Sequence, residues 1–82
     1  MKARKIYGKL LAGSRNVRFA DFCKVAEAFG YRLDRVSGSH HIFEHPLATR
    51  PLNLQNDHGQ AKPYQIRQFL RDVEESHLSI SD

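Results

Sequence analysis

Histidine is concentrated in one short stretch of the chain. His40, His41 and His45 lie close together and follow directly on the pair Gly38 and Ser39. Imidazole is the side chain whose ordinary pKa lets it take up and release a proton near neutral pH. Side chains of this kind serve as general acids and bases, or as ligands of a metal ion. The histidine stretch is therefore the first place to look for chemistry.

A metal site is the less favoured of these two interpretations. Residues 40–45 precede a proline and mix apolar with polar side chains, which predicts a β-strand. Four residues of a strand span about 13 Å, so His41 and His45 lie too far apart to bind one ion. His40 and His41 point to opposite faces, and Cys23 is the single cysteine. We expect no metal and no other cofactor, and we expect Cys23 to be a buried thiol.

Acid–base chemistry fits a polyanionic substrate, because arginine and lysine residues lie on both sides of the histidine stretch. In RNA, a 2′-hydroxyl attacks the adjacent phosphodiester once a base removes its proton, and nearby cations stabilise the charge on the phosphorane oxygens. Histidines on strands are also commonly packed or exposed without taking part in a reaction. The residues alone therefore leave an enzyme, an RNA-binding module and a protein-interaction domain open.

Two helices are predicted before the histidine stretch and one after it. In each of them apolar residues recur every three or four positions, which is the period of a helix with one buried face. Glycines end the first two helices, and Pro63 fits the first turn of the last. These faces are Ile6, Tyr7, Leu10 and Leu11 in the first helix, Phe19, Phe22, Ala26 and Phe29 in the second (about residues 20–29), and Ile66, Phe69, Leu70 and Val73 in the third.

Three strands are predicted between the second and third helices, over residues 31–36, 40–45 and 52–55, with a glycine-containing turn joining the first two. Alternation along the middle strand places His41, Phe43 and His45 on one face. We expect Phe43 in the core and His45 at an exposed strand end. The order predicts an α+β fold with two helices on one face of an antiparallel sheet and an extra N-terminal helix.

The composition is that of one small globular domain. The chain has 82 residues and a formal net charge of +4, with 40% hydrophobic and 27% charged residues. This length excludes a two-domain enzyme and a large cofactor cavity. No run of about 18 apolar residues could cross a membrane. The basic N-terminus is not followed by an apolar stretch, so we expect no signal peptide and a cytoplasmic location.

The stretch Gly38-Ser39-His40-His41-Ile42-Phe43, which follows a Gly-aromatic-x-Leu strand and precedes a His-Pro stop, resembles the HicA toxin family. Residues 61–70 resemble the ending of a longer subgroup of HicA-like toxins. The resemblance runs over about residues 19–73 of a single domain, 1–82, and leaves residues 1–16 as an extension. It implies a fold like that of double-stranded RNA-binding domains, with the order α-β-β-β-α. It also implies a metal-independent endoribonuclease that cleaves mRNA, and a cognate HicB-like antitoxin that blocks it.

The resemblance also carries roles onto individual residues. The family's catalytic histidine follows the Gly-Ser pair by two positions, which is His41 here, and His40 is expected only to assist. Ser39 would bind a phosphate or cap the turn, and Gly38 would let the backbone approach RNA. The basic residues expected at RNA, from their placement around the strand and at the start of the last helix, are Arg32, Arg35, Lys62 and Arg67. A non-catalytic RNA-binding module of the same fold is the alternative.

Overall fold

Residues 2–81 are described in a computed structural model and form three helices and one sheet. In chain order these are α1 (Ala3–Leu11), α2 (Phe19–Ala28), β1 (Arg32–Ser37), β2 (His40–Glu44), β3 (Leu52–Gln55) and α3 (Pro63–Glu75). The strands pair antiparallel in the order β1-β2-β3. The predicted α+β fold, with α1 in front of an α-β-β-β-α core, is confirmed. Within residues 2–81, no helix has the length and apolar character needed to cross a membrane.

One face of the sheet, here called the inner face, packs against the helices. Directly paired residues of an antiparallel sheet share a face, so His41, Phe43, Leu52 and Leu54 all lie on the inner face. Phe43, Leu52 and Leu54 are buried there, as predicted for Phe43. The helices contribute Ile6, Leu10, Phe19, Phe22, Val25, Ala26, Phe29, Ile66, Phe69 and Val73 to the same core. The predicted helix faces are thus largely confirmed, whereas Leu11 is 61% exposed.

The centre of this core is a group of aromatic rings around Phe69 of α3. The Phe69 ring lies 5.5 Å from Phe22 and from Phe29, and 6.0 Å from Tyr31, measured between ring centroids. The N-terminal helix joins the group through Tyr7, whose ring meets Phe29 edge-on at 4.9 Å. Such edge-on pairs stabilise a core beyond the area that they bury. Helix α1 is therefore packed into the same core as the rest of the chain.

The first strand carries a bulge. The register with β2 slips by one residue between Leu33 and Arg35, so Asp34 is an extra residue without a partner of its own. Leu33 and Val36 both pair with inner-face residues of β2, although regular alternation would put residues three positions apart on opposite faces. The helices do not extend over this edge of the sheet. Leu33 and Val36 are 48% and 52% exposed, so these two apolar side chains are not buried in the core.

At the opposite edge of the sheet, α3 contacts the end of β3. The side-chain oxygen of Gln65 accepts a hydrogen bond of 2.8 Å from the backbone N–H of Gln55 at the end of β3. Gln65 is only 6% exposed, so this bond lies inside the protein. A buried polar side chain in the apolar face of α3 is explained by this contact, because an unpaired strand N–H is costly to bury.

His45 ties the end of α2 to the segment after β2. Its Nε2 donates a hydrogen bond of 2.9 Å to the Phe29 carbonyl, and its Nδ1 accepts one of 3.0 Å from the Leu47 N–H. Both bonds together require the neutral ring with its proton on Nε2. The ring also meets Tyr31 edge-on at 5.1 Å. The prediction of an exposed strand end is wrong, because the chain turns inward after Glu44 and half-buries the imidazole.

Cys23 lies on α2 and is half-buried beside the core, rather than fully buried as predicted. Burial, with a smaller contribution from the Glu27 carboxylate, raises the pKa of the Cys23 thiol to about 11. The thiolate is the reactive form of cysteine, so this group is unreactive at neutral pH. The position supports packing as the function of Cys23.

The close approach of His45 requires glycine at position 30. Gly30 ends α2 with φ +96°, and a Cβ built there would lie 2.8 Å from Nε2 of His45. Gly13, which follows α1, has a similar φ of +83° but no atom within 4 Å of such a Cβ. Gly30→Ala therefore adds a steric clash to the backbone strain that both substitutions cause.

We expect Gly13→Ala to lower the free energy of unfolding by about 1 kcal/mol, and Gly30→Ala to lower it by a further 1–3 kcal/mol or so, from overpacking and loss of the His45 bonds. Urea unfolding of both variants beside the parent chain measures the difference. Equal losses in the two variants would show that His45 yields without cost, contrary to this interpretation.

Candidate functional site

His41 sits half-buried on the inner face of β2, below the start of α2. Its ring meets the ring of Phe19, the first residue of α2, at a centroid distance of 4.8 Å and an interplanar angle of 64°. The Nδ1 atom is buried and has no hydrogen-bond partner. The enclosed Nδ1 leaves Nε2 as the ring nitrogen for contact with a ligand.

The turn before β2 brings Gly38 and Ser39 next to His41. Ser37 and His40 are paired, so Gly38 and Ser39 form a two-residue hairpin turn. Gly38 has φ +59°, which a glycine adopts without strain in a turn of this length. The Ser39 carbonyl accepts a 2.8 Å hydrogen bond from the Asn56 N–H, which joins the turn to the loop after β3. The predicted tight turn is confirmed.

The loop after β3 also joins the starts of two helices. The Phe19 N–H bonds the Gly59 carbonyl at 2.9 Å, and the Ala61 N–H bonds the Val17 carbonyl at 2.8 Å. This short ladder places the beginning of α2 beside the beginning of α3. With His41 and the turn at 38–39, residues 17–19 and 56–62 form one side of the molecule, which we call the His41 rim.

The His41 rim is electrostatically suited to an anion. Arg18 and Lys62 immediately precede α2 and α3, and neither helix start is capped by a side chain. The free N–H groups of a helix start carry a partial positive charge and bind phosphate oxygens. Asp21 in the first turn of α2 weakens this effect there, whereas α3 has no acidic residue in its first turn. Pro63, the first residue of α3, has no N–H, and the Gln65 N–H bonds the Lys62 carbonyl at 3.0 Å, so the anion position at α3 rests mainly on the charge of Lys62.

Arg18 is a basic residue of the rim that was not among the predicted RNA contacts. Its pairing with Gln60 in an isolated bridge places it beside the α3 start, and this contact joins residues far apart in the chain. The available signal was its position directly before the first residue of an amphipathic helix.

Two predicted RNA contacts lie on the other side of the sheet. Arg32 pairs with Glu44 and Arg35 with Ile42, which puts both arginines on the outer face, opposite His41. Arg35 also forms an exposed ion pair of 2.6 Å with Asp34. The fold does not bring either arginine to the His41 rim.

His40 and Arg67 are also placed away from His41. The Nδ1 of His40 hydrogen-bonds the side-chain oxygen of Asn53 at 3.0 Å on the outer face. His40 lines an open groove of about 370 Å³ there, together with Tyr64 and Gln68 of α3. Arg67 lies on the exposed side of α3, within its second turn. A role for His40 beside His41 would therefore have to act through the strand rather than by direct contact.

A buried carboxylate, Asp72, serves the fold rather than the rim. It is 5% exposed and accepts hydrogen bonds from Arg50 at 2.7 Å and from Gln68 at 2.8 Å. The hydrogen bond and charge of Asp72 raise the pKa of Arg50. Burial, with the negative charge of Asp72, raises the pKa of Tyr31. Buried charges need such partners, and this pair holds the β2–β3 connection against α3.

A metal ion would need several ligating side chains close together. Among residues 2–81, no group of three or more His, Cys, Asp or Glu side chains could hold a metal ion.

The fold and the His41 rim together define a small α+β domain in which a half-buried histidine packs against the start of α2, and α2 and α3 each follow a basic residue. A family model described as the HicA toxin of bacterial toxin–antitoxin matches residues 19–74, which is more than half of the chain. The chain therefore belongs to the HicA toxin family and is a toxin of a toxin–antitoxin pair. The match begins at Phe19, so α1 lies outside it. No curated protein and no solved structure gives a significant match.

The unpartnered Nδ1 separates His41 from His45 in a measurable way. We expect His41→Leu to leave the free energy of unfolding unchanged or to raise it by up to about 1 kcal/mol, because an unsatisfied buried polar atom is removed. His45→Leu should lower it by about 1–3 kcal/mol, because the Phe29 carbonyl and the Leu47 N–H lose their partner. Urea denaturation of the two variants makes the comparison, and a larger loss for His41→Leu would contradict it.

Proposed function

We propose that the protein is an endoribonuclease that cleaves mRNA, with His41 as its general acid and base, and that a HicB-like antitoxin blocks it. The observation that carries this proposal is the state of His41 in the Gly-Ser-His-His stretch. One of its nitrogens is buried without a partner, and its ring packs against Phe19, the first residue of α2, which directly follows Arg18. A structural role would use the hydrogen bonds of the ring, as His45 does.

In the proposed reaction, Nε2 of His41 takes the proton from an RNA 2′-hydroxyl. The 2′-oxygen attacks the adjacent phosphorus, and the bond from phosphorus to the 5′-oxygen of the next nucleotide breaks. The protonated Nε2 of His41 returns this proton to the departing 5′-oxygen, and the other fragment keeps a 2′,3′-cyclic phosphate. The proton transfer needs no metal ion, and a positioned base of this kind contributes about 10²–10⁴-fold to the rate.

The second requirement of this reaction is that the negative charge on the phosphorane oxygens be stabilised. Lys62 and Arg18, which directly precede α3 and α2, are the cations proposed to stabilise it. Ser39 in the hairpin turn is proposed to bind a phosphate oxygen, and Gly38 keeps the turn free of a side chain. His40 is proposed to assist only through the shared strand. Arg32, Arg35 and Arg67 would hold more distant parts of the RNA.

The second candidate is a non-catalytic RNA-binding module of the same fold. The basic helix starts of the His41 rim favour it as much as they favour the nuclease, because phosphate binding alone requires no base. The state of His41 distinguishes them, since RNA binding does not need an accessible imidazole nitrogen.

His41→Ala tests the catalytic assignment. We expect this substitution to abolish growth arrest and mRNA loss on induction, and to lower RNA cleavage by the purified protein about 10²–10⁴-fold, because no other base replaces Nε2. His77→Ala is the matched control, because His77 is exposed and follows the C-terminal end of α3, outside the His41 rim.

The assays should include EDTA, in which cleavage by the parent chain is expected to persist. Unchanged toxicity and cleavage in His41→Ala would refute the role of His41. RNA binding without cleavage by the parent chain would instead establish the non-catalytic module.

Charge substitutions locate the RNA. Lys62→Gln and Arg18→Gln should each weaken RNA binding and lower the slope of log affinity against log salt by about 0.7, the value for one phosphate contact on a single strand. Arg32→Gln and Arg35→Gln are the matched substitutions on the outer face. Binding titrations at several salt concentrations compare them. A larger effect from the outer-face pair would place the RNA on the side opposite His41.

A further inference from the structure

The edge of the sheet at β1 is open. At the β3 edge, Gln65 of α3 bonds the strand end, whereas within residues 2–81 no segment pairs with the outer side of β1. An open edge strand is a template on which another strand can pair. The inner-face residues of this strand, Leu33 and Val36, are about half exposed, so apolar surface accompanies the open edge.

The hydrogen bonds of the sheet fix which backbone groups of β1 point outward. Along an antiparallel strand, successive residues direct their N–H and C=O groups to alternate sides. The Ser39 carbonyl bonds Asn56 on the β3 side, so His41 and Phe43 also direct their backbone groups toward β3. The bond from the Gln55 N–H to α3 fits the same alternation.

This alternation determines which backbone groups of β1 point away from β2. Leu33 is paired with Phe43 and Val36 with His41, and both of those β2 residues direct their backbone groups toward β3. In such a pair, the β1 residue directs its own N–H and C=O away from β2. Leu33 and Val36 therefore offer two donors and two acceptors at the open edge.

We propose that β1 pairs with β1 of a second copy of this chain, antiparallel, about a two-fold axis between Asp34 and Arg35. Leu33 then lies opposite Val36 of the second copy. Each of these positions offers outward N–H and C=O groups, so the two pairs exchange four hydrogen bonds. The result is one continuous six-stranded sheet.

The charges of β1 match this register. Asp34 lies opposite Arg35 of the second copy, and the reverse pair follows from the symmetry. A shift of one residue in either direction would set Asp34 opposite Asp34, or Arg35 opposite Arg35. It would also set inner-face side chains opposite outer-face ones. Of these three registers, the proposed one alone pairs opposite charges and keeps inner-face side chains opposite each other.

The bulge at Asp34 makes the self-pairing possible. Without it, Leu33 and Val36 would lie on opposite faces and could not meet across a two-fold axis. With it, both apolar pairs lie on the inner face. Leu33 also lines an open groove of about 500 Å³ with Pro46 and Ala48, which leaves room for the incoming side chain. The two-fold axis is perpendicular to the sheet, so both His41 rims face the same side.

Reversal of the two charges tests this dimer. Asp34→Arg and Arg35→Asp each create like-charge pairs across the axis, whereas the double variant with both substitutions restores opposite charges. Sedimentation equilibrium of the purified parent chain and the three variants, up to about 1 mM, covers the weak affinity expected of a small interface.

We expect the parent chain to approach twice its mass of 9.5 kDa at high concentration. Each single reversal should weaken the dimer at least about tenfold, and the double variant should restore it to within about threefold. Far-ultraviolet circular dichroism confirms that the variants are folded. The proposal is overturned if the parent chain stays monomeric over this range, or if neither single reversal changes the affinity of the dimer. In that case the β1 edge would instead pair with a strand of a different protein.

Discussion

The contact between the rings of Phe19 and His41 organises the functional side of this protein. Phe19 is 6% exposed and is at once the first residue of α2 and a backbone donor to Gly59 in the loop after β3. Phe19 thus holds the loop through its backbone N–H and the imidazole through its ring. The ring contact accompanies the enclosure of Nδ1. A less tightly packed ring could turn either nitrogen outward.

The chain uses histidine in two different physical ways within one short stretch. His45 is bonded at both nitrogens and joins α2 to the β2–β3 connection, and the missing side chain of Gly30 gives it room. His41 leaves a buried nitrogen unsatisfied, which disfavours the folded state. Proteins commonly keep such unfavourable groups at sites selected for activity rather than stability. Burial and hydrogen bonding therefore distinguish the two residues where position in the sequence does not.

The elements of this fold were predictable because their apolar periods are strong and are bounded by glycine and proline. β3 was predicted at the residues where it lies, and the predicted apolar face of α3 holds the central Phe69. The burial of His45 was not predictable, because it depends on a tertiary contact with the Phe29 carbonyl at the end of α2. The bulge at Asp34 had a signal in the sequence, because Leu33 and Val36 are three positions apart in a stretch predicted as a strand. The bridge between Arg18 and Gln60 had no such signal in the sequence.

In the proposed reaction, His41 is a base that acts on an RNA 2′-hydroxyl. The chemical groups at the ends of the RNA fragments identify the attacking oxygen directly. Purified protein is incubated with mRNA in the presence of EDTA, and the new termini are identified by mass spectrometry. Attack by the 2′-oxygen predicts fragments that begin with a 5′-hydroxyl and end with a 2′,3′-cyclic phosphate. Fragments that begin with a 5′-phosphate and end with a 3′-hydroxyl would show that water is the nucleophile, and would contradict the account.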